Sequence, residues 1–95
     1  GVYKARGDKQ AAIHELEGLL ESKPRYVSGW QNLGQLYTDA EEWPKDESAL
    51  RRAVELDPQN AAAHFNLAFA LNALGKMDEA AQHLETAAEL EENAP

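Results

Sequence analysis

The sequence predicts an all-α fold, an antiparallel helix-hairpin solenoid of about five helices, and three observations lead there. The chain repeats itself at a fixed period of 34 residues: Leu16 returns as Leu50 and Leu84, Pro24 as Pro58, Asn32 as Asn66, and Leu33 as Leu67. Tyr3 returns as Tyr37 and Leu71, and after two periods Gly7 returns as Gly75 and Ala12 as Ala80. Such self-similarity marks stacked units, none of which buries its apolar face alone. Second, apolar residues recur every three or four positions, which lines one side of a helix, and no segment alternates as a half-buried strand does. Third, Pro24 and Pro58 fall just beyond the ends of periodic segments, where a residue without an N–H does least harm.

The periodic pattern runs through residues 10–22, 27–40, 46–57, 61–74 and 78–91. Ahead of the first segment, "GVYKAR" at 1–6 reads as the last turn or two of a helix whose beginning is absent. In the second, "WQNLGQLY" places Trp30, Leu33, Gly34 and Tyr37 on one side. Glycine costs a helix about 1 kcal/mol relative to alanine. Gly34 and its equivalent Ala68 therefore imply a second helix pressed against the first at that level.

The third segment follows an irregular stretch, "DAEEWPKDESAL" at 39–50, in which Glu41 replaces the glycine cap and Asp46 replaces the small Ala12 and Ala80. A buried Asp46 would be costly. The favoured expectation is a late start, with Asp46 at or near the N-cap and Pro44 in the preceding turn. The alternative puts Pro44 at the first helical position and Asp46 near the helix crossing with a raised pKa. The fourth segment repeats the second with His64 for Trp30, and Gly75 after it supplies a left-handed cap. The fifth closes with "EENAP" and no polar capping helix, so both ends read as open. Short connections make neighbours antiparallel.

Ninety-five residues make one small domain, and 43% hydrophobic with 27% charged residues is a globular balance. No cysteine is present, which excludes disulfides, thiolate catalysis and Cys-ligated zinc and leaves the compartment open. No apolar run reaches membrane-span length and no signal-peptide order is seen at the start, so the chain reads as soluble, with no membrane partner. The net charge of −8 divides as +1 over 1–26, −4 over 27–60 and −5 over 61–95. Such a field repels phosphate backbones and speaks against nucleic acid. It suits a solvated outer face.

Trp30, Leu33, Gly34 and Tyr37, followed by Leu50, Ala53 and Pro58, closely resemble the W-x₂-L-G-x₂-Y…A-x₃-F…P pattern of the tetratricopeptide repeat. The resemblance covers nearly the whole chain as one domain, 1–95: a partial repeat at 1–26 and full repeats at 27–60 and 61–94. It implies a right-handed superhelix with a concave groove that binds a partner segment.

Chemistry-bearing residues are sparse. His14, His64 and His83 lack the spacing of a zinc hydrolase, and Glu79 with His83 is read as a surface ion pair. His64 is read as a partly buried packing residue. Ser22, Ser28 and Ser48 sit in no nucleophile motif, and no glycine-rich loop cradles phosphate. The chain therefore reads as non-enzymatic, with no cofactor and no metal site.

The face of the 27–40 and 61–74 helices opposite the core carries Gln31, Asn32, Gln35, Phe65, Asn66, Phe69 and Asn72. The resemblance makes this the peptide-binding groove, with Phe65 and Phe69 as an aromatic patch and the amides as hydrogen-bonding groups. Groove members of the same family that clamp acidic tails use Lys and Arg where this sequence has Ala62 and Asn66. A neutral, apolar or basic peptide is the expected partner. The alternative is self-association into a homodimer through uncapped repeat ends.

Overall fold

The structure is a computed structural model that describes residues 2–93, with the side chains of 2–6 left out; readings that fall on those side chains, on Gly1 or on residues 94–95 lie outside the described residues. Five helices follow in order: α1 (Val2–Ser22), α2 (Val27–Asp39), α3 (Trp43–Leu56), α4 (Ala61–Ala73) and α5 (Met77–Glu92). No strand occurs among the described residues. Each helix packs on the next, and α2 also meets α4, as stacked hairpins require.

Local chemistry explains most of the boundaries. Pro24 and Pro58 lie in the turns after α1 and α3. Asn60 caps α4, its side chain accepting the Ala63 N–H at 3.1 Å. Gly75 takes a φ of +81° after α4, and Glu41 takes +57° at the equivalent turn after α2. There the chain accepts a left-handed non-glycine residue to make the same reversal.

Two expectations are corrected. The first helix does not begin near residue 10 with a separate turn before it: α1 runs unbroken from Val2 through Gly7. Once a helix is nucleated, each added residue gains one hydrogen bond, which favours carrying the ladder through Gly7. The late start of the third helix is also overturned. α3 is already regular at Trp43 and Pro44, with Glu42 as N-cap, and Asp46 lies fully buried inside the first turn. Pro44 occupies one of the first positions, where its missing N–H has no helical partner to lose. The helix entry is thus set by proline, and Asp46 is carried into the interior.

Two apolar clusters run along the stack. Ile13, Leu20, Leu33, Tyr37 and Ala49 join α1, α2 and α3. Leu50, Leu67, Ala68, Leu71 and Ala80 join α3, α4 and α5. Gly34 lies beside the second cluster. A Cβ added there would come within 2.6 Å of Leu50 Cδ2, 2.8 Å of its Cγ and 3.3 Å of Asp46 Oδ1. Leu50 is itself fully buried and cannot swing aside into solvent. Asp46 accepts a hydrogen bond from the Thr38 hydroxyl with Oδ2, while Oδ1 is buried without a partner. Burial raises its pKa to about 6, against the opposing bond from Thr38.

Gly34→Ala is expected to lower stability by about 1–2 kcal/mol, because overpacking outweighs the gain in helix propensity. A melting temperature equal to the parent's would show that Leu50 yields freely. Asp46 gives a pH signature of known sign. Its folded pKa lies above the unfolded value of 3.8, so the native state holds the proton more tightly, and stability falls as pH rises from 4 to 6 and stays reduced above that. The difference in unfolding free energy between the parent and Asp46→Asn should shift against the parent by about 2–3 kcal/mol between pH 4 and pH 7. A flat difference would place the carboxyl in water.

Candidate functional site

The strip formed by α2 and α4 is positioned by their equal lengths, 13 residues each, and by the contact between them. Phe65 and Phe69 are one helical turn apart on α4, at 57% and 54% exposure, too open to be core. Gln35, Thr38, Phe65, Asn66 and Phe69 surround a depression of about 200 Å³ between the two helices. No cationic side chain is among them.

The seven sequence-derived groove residues are thus divided. Gln35, Phe65, Asn66 and Phe69 come together in that depression. Asn72 lies beyond it, with Phe65 and Phe69, in a second groove between α4 and α5. Gln31 and Asn32 line neither one. Gln35 donates to Asp39 at 3.2 Å, one turn on, so part of its amide is engaged along its own helix.

Trp43 is the residue that sequence reasoning passed over. Its ring meets that of Phe69 at 5.8 Å between centroids, tilted by 55°, and so braces one aromatic of the groove from the preceding hairpin. The available signal was the 34-residue spacing of Trp43 and Met77, two large apolar residues at the same point of successive repeats.

The opposite side is held by ions and histidines. Arg51 on α3 bonds Glu47 at 2.7 Å and Glu79 on α5 at 2.5 Å, and Lys76 reaches Glu47 at 2.8 Å. The Lys76 hydrogen bond, opposed by burial and assisted by Arg51, holds the Glu47 carboxyl below its ordinary range. The expected Glu79–His83 surface pair is not what forms: Glu79 turns to Arg51, and His83 turns to His64, Nδ1 to Nδ1 at 3.0 Å.

His64 keeps the role of the tryptophan it replaces. Trp30 Nε1–H donates to the Pro24 carbonyl at 2.8 Å, and one period later His64 Nε2 lies 2.8 Å from the Pro58 carbonyl. A carbonyl only accepts, so Nε2 carries the hydrogen, and in the neutral ring Nδ1 is left to accept from His83 Nδ1–H. Burial, and then the neighbouring His64, hold His83 below the ordinary histidine range. Among the described residues no group of three or more His, Cys, Asp or Glu side chains is placed to hold a metal ion.

A further cleft of about 500 Å³ lies between α1 and α3 over α2, floored by Leu20, Leu33 and Ala49, with Trp30, Glu17 and Lys45 at its walls. Tyr37 borders it and donates to Glu17 at 2.6 Å; burial first, and that bond second, raise the phenol's pKa. No helix of the described residues is long and apolar enough to cross a membrane.

Two family models described as tetratricopeptide repeat match the chain, one over residues 2–61 and one over 47–95. A chloroplastic tetratricopeptide repeat domain-containing protein of Arabidopsis thaliana, PYG7, is 34% identical over 64 residues, which is 66% of this chain and 21% of that protein. The solved structure of MamA from Desulfovibrio magneticus superposes with a TM-score of 0.83 at 28% identity, over 90% of this chain and 48% of that one. The first TPR of Spaghetti (RPAP3), bound to the HSP90 peptide SRMEEVD, superposes with a TM-score of 0.85 at 26% identity, over 97% and 73% of the two chains. The chain therefore spans about a fifth of the length of the curated relative and about half that of MamA.

At the histidine pair, His64→Phe removes both the donor to Pro58 and the acceptor for His83. It should cost about 1–3 kcal/mol of stability and move the His83 titration upward, read from its ring proton shifts. An unmoved titration would show that the two rings share no proton.

Proposed function

The chain belongs to the tetratricopeptide repeat family, and on that premise we propose that it is a protein-interaction module whose α2–α4 face binds a partner peptide without catalysing a reaction. The observation that carries this reading is the exposure of Phe65 and Phe69 beside the amides of Gln35 and Asn66, with Trp43 bracing Phe69. Two half-exposed aromatics one turn apart are a poor use of apolar surface unless something covers them. Rigid rings with adjacent amides suit a peptide, since the rings bury apolar side chains and the amides take up its backbone polar groups.

The ligand class follows from charge. The Spaghetti domain is bound to SRMEEVD, a peptide with two glutamates and one aspartate against a single arginine. Here the depression is lined by neutral residues, Ala62 and Asn66 stand where, by the resemblance, the members of the family that clamp acidic tails carry Lys and Arg, and the chain carries −8 overall. Binding a row of carboxylates without a cation would leave their charge uncompensated. A neutral, apolar or basic segment is the ligand that fits.

Selection from a random peptide library on the immobilised chain should return sequences rich in apolar and basic residues. Phe69→Ser should weaken the selected peptides about ten-fold while leaving the thermal melt nearly unchanged, because the ring is half in solvent. Acidic winners, or unchanged affinity for the variant, would count against this face.

A further inference from the structure

The junction of α1 with α3 across α2 and that of α3 with α5 across α4 are related by the 34-residue period, and the first lacks a ring that the second has. Trp30, Ala49 and Glu17 correspond, one period on, to His64, His83 and Arg51. At the second junction the His83 ring lies against that of His64, with centroids 5.2 Å apart and planes inclined by 29°, and Arg51 crosses from α3 to Glu79 on α5. At the first junction Ala49 stops at Cβ and offers Trp30 no ring. Among the described residues no ion pair crosses from α1 to α3: Lys45 pairs with Glu42 beside it, and Glu17 accepts the Tyr37 hydroxyl.

The result is the cleft of about 500 Å³ over α2, walled on both sides by helices of this chain and of a size that suits a small ligand. Its floor of Leu20, Leu33 and Ala49 is buried. The Trp30 indole is fixed at one wall by its hydrogen bond to the Pro24 carbonyl at 2.8 Å. Glu17 and Glu21 stand one turn apart on α1 at the rim, and the Tyr37 hydroxyl, at 2.6 Å, holds Glu17 in place. Glu21 has no ion-pair partner among the described residues. Lys45, on the α3 wall, is drawn to Glu42 at 3.7 Å and does not neutralise the two glutamates. The cleft thus combines an apolar floor, an aromatic wall and an acidic rim.

From the ring that the first junction lacks and the carboxylates at its rim, we infer that the α1–α3 cleft binds a small aromatic amine, its flat ring against Trp30 where the second junction holds His83 and its protonated nitrogen at Glu17 and Glu21. The ring buries apolar area on Leu20, Leu33 and Ala49, and the cation gains from both the indole face and the carboxylates. An acid of the same shape would meet the two glutamates with a like charge. The ligand joins α1 to α3 as Arg51 and Glu79 join α3 to α5, so its binding stabilises the fold. The cleft shares no residue with the depression at Gln35, Thr38, Phe65, Asn66 and Phe69, so this site is separate from the peptide face.

Phenethylamine, titrated into the isotope-labelled chain, should shift amides around Leu20, Leu33 and Ala49 and saturate in about the millimolar range. Hydrocinnamate, the same ring on a carboxylate, should bind about five-fold more weakly, and Glu21→Lys, at an exposed position, should erase that preference. Ala49→His supplies the missing ring from the chain itself and should abolish binding of the amine; where that variant fails to fold, Glu21→Lys decides. Phe69→Ser should bind phenethylamine as the parent does, so failure here leaves the proposed function standing. The inference is overturned by shifts that do not saturate, by shifts centred on Gln35 and Asn66, by equal affinity for amine and carboxylate, by a preference that Glu21→Lys leaves intact, or by a folded Ala49→His chain that binds as tightly as the parent.

Discussion

Leu50 lies against the bare backbone of Gly34, and that approach of α3 to α2 sets the position of everything packed outside it. Because Gly34 has no side chain, Leu50 can reach across its own hairpin and still contribute to the cluster with Leu67, Ala68 and Leu71 on the next. One leucine thus belongs to two interfaces. Close packing makes such a residue intolerant of displacement, since each shift loses dispersion contacts on both sides.

The cost of this arrangement appears at Asp46. It occupies the position where the other repeats have Ala12 and Ala80, beside the same glycine, and only one of its two carboxylate oxygens is hydrogen-bonded. An alanine there would remove a buried, half-satisfied charge. What Asp46 supplies in return is a bond to Thr38 on α2, a polar fastening near the turn at Glu41 where the chain lacks a glycine. The hairpin that braces Phe69 through Trp43 is therefore also the one whose stability depends on pH.

Charge and apolar exposure are separated around the stack. Arg51, Glu47, Glu79 and Lys76 tie successive hairpins together on one side. Phe65, Phe69, Met77 and Leu84 are exposed on the other side and at the outer edge. Exposed ion pairs contribute little to stability, but they fix how neighbouring hairpins are aligned. The half-exposed aromatics contribute little to the core and present apolar area to whatever binds.

By itself the amino-acid sequence determined the repeat length, the number of helices, the small residue at the crossing and the side of α2 and α4 that faces outward. All of these follow from spacing along one helix or from a period that needs no knowledge of neighbours. It also placed Phe65 and Phe69 on that side. Tertiary structure alone decided that Asp46 is buried and not a cap, because proline at the start of α3 and the register against Gly34 both bear on it. It alone brought Trp43 to Phe69 and His64 to His83, 26 and 19 residues apart. Pairings of that kind depend on which hairpin faces which, and a helical pattern carries no information about the element on the other side of the contact.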